Sequence, residues 1–205
     1  MAKKNTAQLT LFPETVYEYH VLLSPGDAVI ADVDAMKQQL HEMIGLEEFN
    51  RNSIAHITLL KMEGPESLNL AGHIRGAITG LRKFTVRMAG HDIFEHGNTK
   101  TLYLKLANPE PVAELAQLAN PKSRRAAKPI TRQTNIIDQA KRPKKLHMIP
   151  HITIARTIAE ADFERIEDFS PFDYTGEWVC DRILIRRRVA GSNRIFSAWK
   201  EVKLG

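Results

Sequence analysis

The chain has 205 residues, 43% of them apolar, enough to bury a core in one large domain or two small lobes. No apolar run nears the roughly 18 to 20 residues of a membrane span, and the polar start Met1–Asn5 lacks the apolar stretch of a signal peptide, so a cytoplasmic protein is expected. The net charge of +5 is concentrated: segment 121–145 holds nine basic residues against the single acid Asp138, and the rest of the chain is slightly acidic. The lone Cys180 excludes an internal disulfide and a cysteine-rich zinc site, and reads as a small hydrophobe in a strand.

Residues 1–15 form a polar leader. Within it, Gln8-Leu9-Thr10-Leu11-Phe12 resembles the peptide by which bacterial proteins dock on the DNA polymerase sliding clamp, the rival expectation being an apolar approach to the first strand. Val16 to Leu23 is aromatic and β-branched and stops at Ser24-Pro25-Gly26, as a strand and turn do. From Ala28 to Ile44, Val29, Ile30, Val33, Met36, Leu40, Met43 and Ile44 recur at helical spacing, Asp27 can cap them, and Gly45 ends the helix.

A short apolar strand spans 54–60. A second helix is expected over 68–81, weakened by Gly72 and Gly76. Strands at 84–88 and 101–106 follow, with turns at Gly90 and His96-Gly97-Asn98. Pro109 and Pro111 open a helix to about Leu118. The basic segment 121–145, with three of the ten prolines and little apolar periodicity, reads as an exposed insertion: a footprint for phosphate or a solvated loop. Order resumes at Leu146, with a strand over 149–155, a helix over 160–169, and strands over 177–187 and 195–202.

This order describes an α+β protein with sheets covered by helices. It also contains a weak duplication: Ala55-His56-Ile57-Thr58-Leu59 and Pro150-His151-Ile152-Thr153-Ile154 each lie in a strand followed by a helix, as two facing lobes would require. Alternate strand residues share a face, so each motif presents one imidazole and one hydroxyl, His56 with Thr58 and His151 with Thr153, over a buried apolar pair. Phosphodiester cleavage at a ribose needs that set: one imidazole takes a proton from the attacking oxygen, another gives one to the leaving oxygen, and neutral hydroxyls bind phosphate oxygens. Such chemistry requires no metal, and the motifs lack the nearby carboxylates or cysteines of a zinc site.

On these motifs, their spacing of about 95 residues, the run Pro150–Arg156 and the opening and closing strands, the chain resembles the two-histidine phosphoesterase superfamily. The resemblance is strongest to the 2′-5′ RNA ligase-like (LigT) branch, which includes RNA 2′,3′-cyclic phosphodiesterases, and covers most of residues 16 to 203. It implies a bilobal, pseudo-twofold fold with two antiparallel sheets flanked by helices around a central cleft. It further implies RNA or nucleotide substrates, no cofactor, His56 as proton donor and His151 as proton acceptor, though spacing leaves those roles open. A single domain over 16–205, with the 121–145 insertion beside the cleft, and a monomer are expected.

The family's second motif commonly ends in arginine, here Arg156, yet that residue stands five positions after His151, and a regular strand would point it away from the cleft unless a bulge or the strand's end turned it. Tyr19, His20 and Tyr103 are candidates to stack a base or line the cleft, with the core as their other destination. The rival class is a binding protein for RNA or cyclic nucleotides on the same fold, and within the enzyme class the substrate could equally be a cyclic oligonucleotide signal.

Overall fold

A computed structural model describes residues 14–122 and 149–205; Gln8–Phe12 and most of the basic segment lie outside the described residues. The elements are β1 (Val16–Leu23), α1 (Asp27–Ile44), α2 (Glu48–Arg51), β2 (Ile57–Pro65), α3 (Leu70–Ala77), β3 (Phe84–His96), β4 (Thr99–Leu106), α4 (Pro109–Ala119), β5 (His151–Ala159), α5 (Glu160–Phe163), β6 (Glu177–Cys180), β7 (Arg182–Val189) and β8 (Ser197–Lys203). They build two four-stranded antiparallel sheets, β2-β1-β7-β8 and β5-β4-β3-β6. A pseudo-twofold relation pairs β2 with β5, β1 with β4, β7 with β3 and β8 with β6, so each His-x-Thr motif occupies or abuts an edge strand of its own sheet.

The helices cross between the halves. Helix α1 follows β1 but packs against β5, and α4 follows β4 but packs against β2. Helix α1 forms because Val29, Val33, Met36, Leu40 and Ile44 repeat along one buried stripe, and it ends where Gly45 adopts a left-handed φ of 76°. One apolar core therefore runs through both lobes, taking Val21, Leu23, Ile57 and Leu59 from one and Leu102, Leu104, Ile152 and Ile154 from the other. Burying each such side chain is worth about 1.5–3 kcal/mol, which locks the strand register: a slip of one residue would turn the histidines into the core.

Several elements differ from expectation. Helix α3 covers Leu70–Ala77 rather than 68–81; the Asn69 side chain accepts the Gly72 N–H and fixes its start. Strand β3 does not turn at Gly90 but runs on to His96, Gly90 (φ 76°) sitting at a bulge between Met88 and His91. The helix after β5 is one turn, Glu160–Phe163, rather than 160–169. The strand expected over 177–187 divides at Asp181, its first part joining the β3 sheet and its second the β1 sheet. Helix α2 has no counterpart in the sequence reading, its four residues being too few for periodicity to register. No described helix is long and apolar enough to cross a membrane.

Candidate active site

The two motif histidines are held in the same way. In each, the ring Nδ1 lies against the backbone carbonyl two residues earlier, His56 on Ile54 at 2.8 Å and His151 on Ile149 at 2.7 Å. A carbonyl only accepts, so Nδ1 carries the hydrogen, and Nε2 is left as the lone-pair site of the neutral ring. Burial lowers the pKa of both; the neighbouring charges of Lys61, Arg186 and Lys37 depress His56 further, while the carbonyl bonds oppose the shift. The neighbouring residues Ile57 and Leu59, and Ile152 and Ile154, are core side chains, so burial beneath each strand sets the hydroxyls of Thr58 and Thr153 on the same side as the imidazoles.

Each threonine has a different neighbour. Thr58 Oγ1 is 2.9 Å from Nε2 of His20, whose ring meets that of His56 edge-on at 5.1 Å. Burial pushes the His20 pKa down to about 3, with the charges of His56, Lys61 and Arg186 assisting, so His20 is a neutral hydrogen-bonding partner. Thr153 lies directly across the ladder from Tyr103, whose ring packs against His151 at 5.1 Å and stacks on Phe94 at 3.9 Å. Phe94 in turn meets His151 edge-on at 5.0 Å. The first lobe thus surrounds its histidine with polar and basic groups, and the second with aromatic rings.

The ladders carry matching irregularities one residue after each threonine. Between β1 and β2 the register passes from Leu22↔Thr58 to Val21↔Leu60, skipping Leu59, and so Lys61 comes to lie opposite His20. Between β4 and β5 it passes from Tyr103↔Thr153 to Leu102↔Ala155, skipping Ile154; Ile154 and Ala155 are both fully buried, and Arg156 emerges exposed on the side of His151. The bulge removes the parity objection to Arg156. Lys61 and Arg156 occupy equivalent places, each five residues beyond a motif histidine, and the Arg156 charge, after burial, is the main cause holding the Lys61 pKa down. The Arg156 guanidinium also rests over the Phe49 ring at 5.5 Å.

Around Arg156 the ladder is broken a second time, between Leu102↔Ala155 and Lys100↔Ile158, and Thr157 takes a φ of 58°, unusual for a β-branched residue. The buried carboxamide of Asn50, from α2, takes the place of a strand there: Oδ1 accepts the Arg156 N–H at 3.0 Å and Nδ2 donates to the Arg156 carbonyl at 2.9 Å. Lys37 of α1, 2% exposed, donates to the carbonyl and hydroxyl of Ser53, and so steadies the loop that leads to Ile54 and His56.

Lys61, His20 and Arg186 form one row across β2, β1 and β7. Neither Lys61, Arg156 nor Arg186 makes an ion pair with a carboxylate among the described residues, whereas in the next row Arg188 is bound to Glu18 at 2.7 Å. Unpaired cations beside two imidazoles fit an anionic ligand. Among the described residues no three histidine, cysteine or acidic side chains come together as metal ligands.

Of the expected site residues, His56, Thr58 and His20 gather in one lobe, His151, Thr153 and Tyr103 in the other, and Arg156 joins them. Tyr19 does not. It is 1% exposed, its hydroxyl donates to the Pro65 carbonyl and its ring packs on Trp199, because adjacent strand residues face opposite ways and His20 takes the cleft side. The sequence reading missed Lys61, Arg186, Phe94, Asn50 and Lys37. Only Lys61 had a local signal, the shared five-residue offset from a motif histidine.

The sequence profile of the 2′-5′ RNA ligase superfamily matches residues 25–192. Among solved structures, Escherichia coli LigT in its apo form is 13% identical, with 93% of this chain and 98% of that one covered and a TM-score of 0.59. The same protein complexed with 3′-AMP is 14% identical over 94% and 99% of the two chains, at a TM-score of 0.56. A structure described as a phosphoesterase is 12% identical over 94% and 99%, at 0.50. No curated protein sequence matches the chain.

Proposed function

The chain belongs to the 2′-5′ RNA ligase superfamily, and from that premise we propose that it is a metal-independent phosphodiesterase of RNA ends or nucleotides, acting on 2′,3′-cyclic phosphate or 2′-5′ linkages and able in principle to run in reverse as a ligase. The observation that carries this reading is the matched pair of imidazoles, each with Nδ1–H given to a backbone carbonyl and Nε2 left to exchange a proton.

In hydrolysis, Nε2 of His151 takes a proton from water as the water oxygen bonds to phosphorus, and the Nε2–H of protonated His56 gives its proton to the departing ribose oxygen. A phosphate monoester and a free ribose hydroxyl result, with His56 neutral and His151 charged until proton exchange resets them. Run backward, the two rings exchange roles. With the neutral His20 ring donating to Thr58 Oγ1, the Thr58 hydroxyl keeps its own proton for a phosphate oxygen, and Thr153 serves the opposite oxygen. Arg156 and Lys61 supply the positive field for the phosphate, and Tyr103 shapes the second wall.

The test is turnover of a panel comprising a nucleoside 2′,3′-cyclic phosphate, a 2′-5′ dinucleotide and a cyclic dinucleotide, in excess chelator. Product should form with at least one of the first two, and His56→Ala and His151→Ala should each lower kcat by about 10² to 10⁴. Binding without product would establish the rival reading, a non-catalytic nucleotide-binding protein, and turnover of the cyclic dinucleotide alone would move the substrate to cyclic signals.

A further inference from the structure

Beside His56 a well of about 470 Å³ opens on the cleft face of the first sheet, within the roughly 300–1,000 Å³ typical of small-molecule sites. Its floor is aliphatic: Leu22 and Leu184 lie directly opposite each other on β1 and β7, and Ala198 of β8 adjoins them. The neighbouring rows on the same face are charged, Lys61–His20–Arg186 and Glu63–Glu18–Arg188. An apolar patch there is a local exception rather than the rule of the surface. Ser24, His56, Arg186, Lys200 and Glu201 supply polar groups to its lining, and Ile54 and Trp199 border it as well.

A third bulge borders the well. The β7–β8 ladder passes from Ile185↔Lys200 to Arg186↔Ala198, so Trp199 has no partner. In an unbroken register Trp199 would stand opposite Arg186, in the row next to Leu22 and Leu184. Instead its ring packs on Tyr19 and under the Arg187 guanidinium, and the small Ala198 takes its place. Bulges that re-aim a side chain are common beside functional sites.

We propose that this well receives a nucleoside joined to the phosphate held between the two imidazoles, so that the protein recognises its substrate by the nucleoside on the His56 side as well as by the phosphate. This rests on the phosphodiesterase reading and deepens it. A planar base has two apolar faces and a polar edge, which suit an aliphatic floor with a hydroxyl and a carboxylate at its rim. Arg186 lines the well and its charge acts on His56, so it supplies a cation for the phosphate of such a ligand.

The experiment is calorimetric titration of the full chain with adenosine 3′-monophosphate and, separately, with inorganic phosphate, for the wild type, Ala198→Trp and Ala198→Met. Ala198 is exposed on an edge strand, so both variants should fold, and the smaller side chain guards against loss of structure from the larger. Expected is a loss of about tenfold or more in nucleotide affinity for Ala198→Trp, a smaller loss for Ala198→Met, and inorganic phosphate affinity within about twofold of wild type for both. Nucleotide affinity unchanged in both variants, with phosphate binding and turnover intact, would overturn the well alone. Absence of phosphate binding and of turnover in the wild type would overturn the phosphodiesterase reading beneath it.

Discussion

His56 and His151 are chemically alike and locally held alike, but their surroundings divide their titration. Burial lowers both pKa values below the ordinary histidine value, and Lys61 and Arg186 act only on His56. If His56 must be protonated to donate, kcat/KM falls as pH rises through a pKa below about 6.5, and the free enzyme works best on the acid side of that value. Lys61→Met removes a cation from beside His56 and should move the alkaline limb to higher pH; an unmoved limb would sink this assignment. His20 makes a stability prediction with a defined sign. Its folded pKa of about 3 lies below its unfolded value, so the native state binds fewer protons than the unfolded one between those pH values and stability falls as pH drops below about 6.5. Between pH 6.5 and 5 the loss from this one ring is about 1 to 2 kcal/mol, and urea unfolding of His20→Asn should show a correspondingly flatter pH dependence. Tyr19 and His20 also show what a strand does to neighbouring aromatic residues: both looked suitable for a cleft, and only one could face it.

At the scale of the elements, the strands were legible because alternation is a local property. Val16–Leu23, the apolar pairs under each motif and the hairpin at His96-Gly97-Asn98 all stand where the pattern put them. The bulges after Thr58 and Thr153 were not legible, since a bulge is a relation between two strands and leaves no period in either. Yet they decide that Lys61 and Arg156 belong with the histidines. Substituting either cation by methionine keeps the aliphatic stem and removes the charge. Each change should raise KM by about tenfold or more, with a smaller effect on kcat, as loss of a charge-assisted bond worth about 1.5–3 kcal/mol would do. Steady-state kinetics on the best substrate of the panel checks this, and a KM within about twofold of wild type for both variants would remove them from phosphate binding.

In the whole molecule, the two lobes meet along β2 and β5, and Asn50 ties them by holding the Arg156 backbone from the loop region that leads to His56. Asn50→Ala leaves the partly buried N–H and carbonyl of Arg156 without their partner, at a cost of about 1 kcal/mol or more. It should lower kcat more than it raises KM, because it loosens the placement of one imidazole against the other; Asn50→Asp, which keeps the acceptor, should lose less. Thermal unfolding together with the split between kcat and KM reads both effects, and a stability loss with unchanged kcat would leave Asn50 a purely structural tie. By itself the sequence determined the α+β class, most strands, the first helix and the pairing of each histidine with its threonine, since all of these follow from periodicity within about ten residues. Tertiary structure decided the division at Asp181 between two sheets, the helices exchanged between lobes, the inward turn of Arg156, the burial of Tyr19 and the bulge at Trp199 beside the well. Each of these depends on which strand lies beside which, and side-chain direction at a bulge is fixed by the partner strand rather than by the residue's own neighbours in sequence.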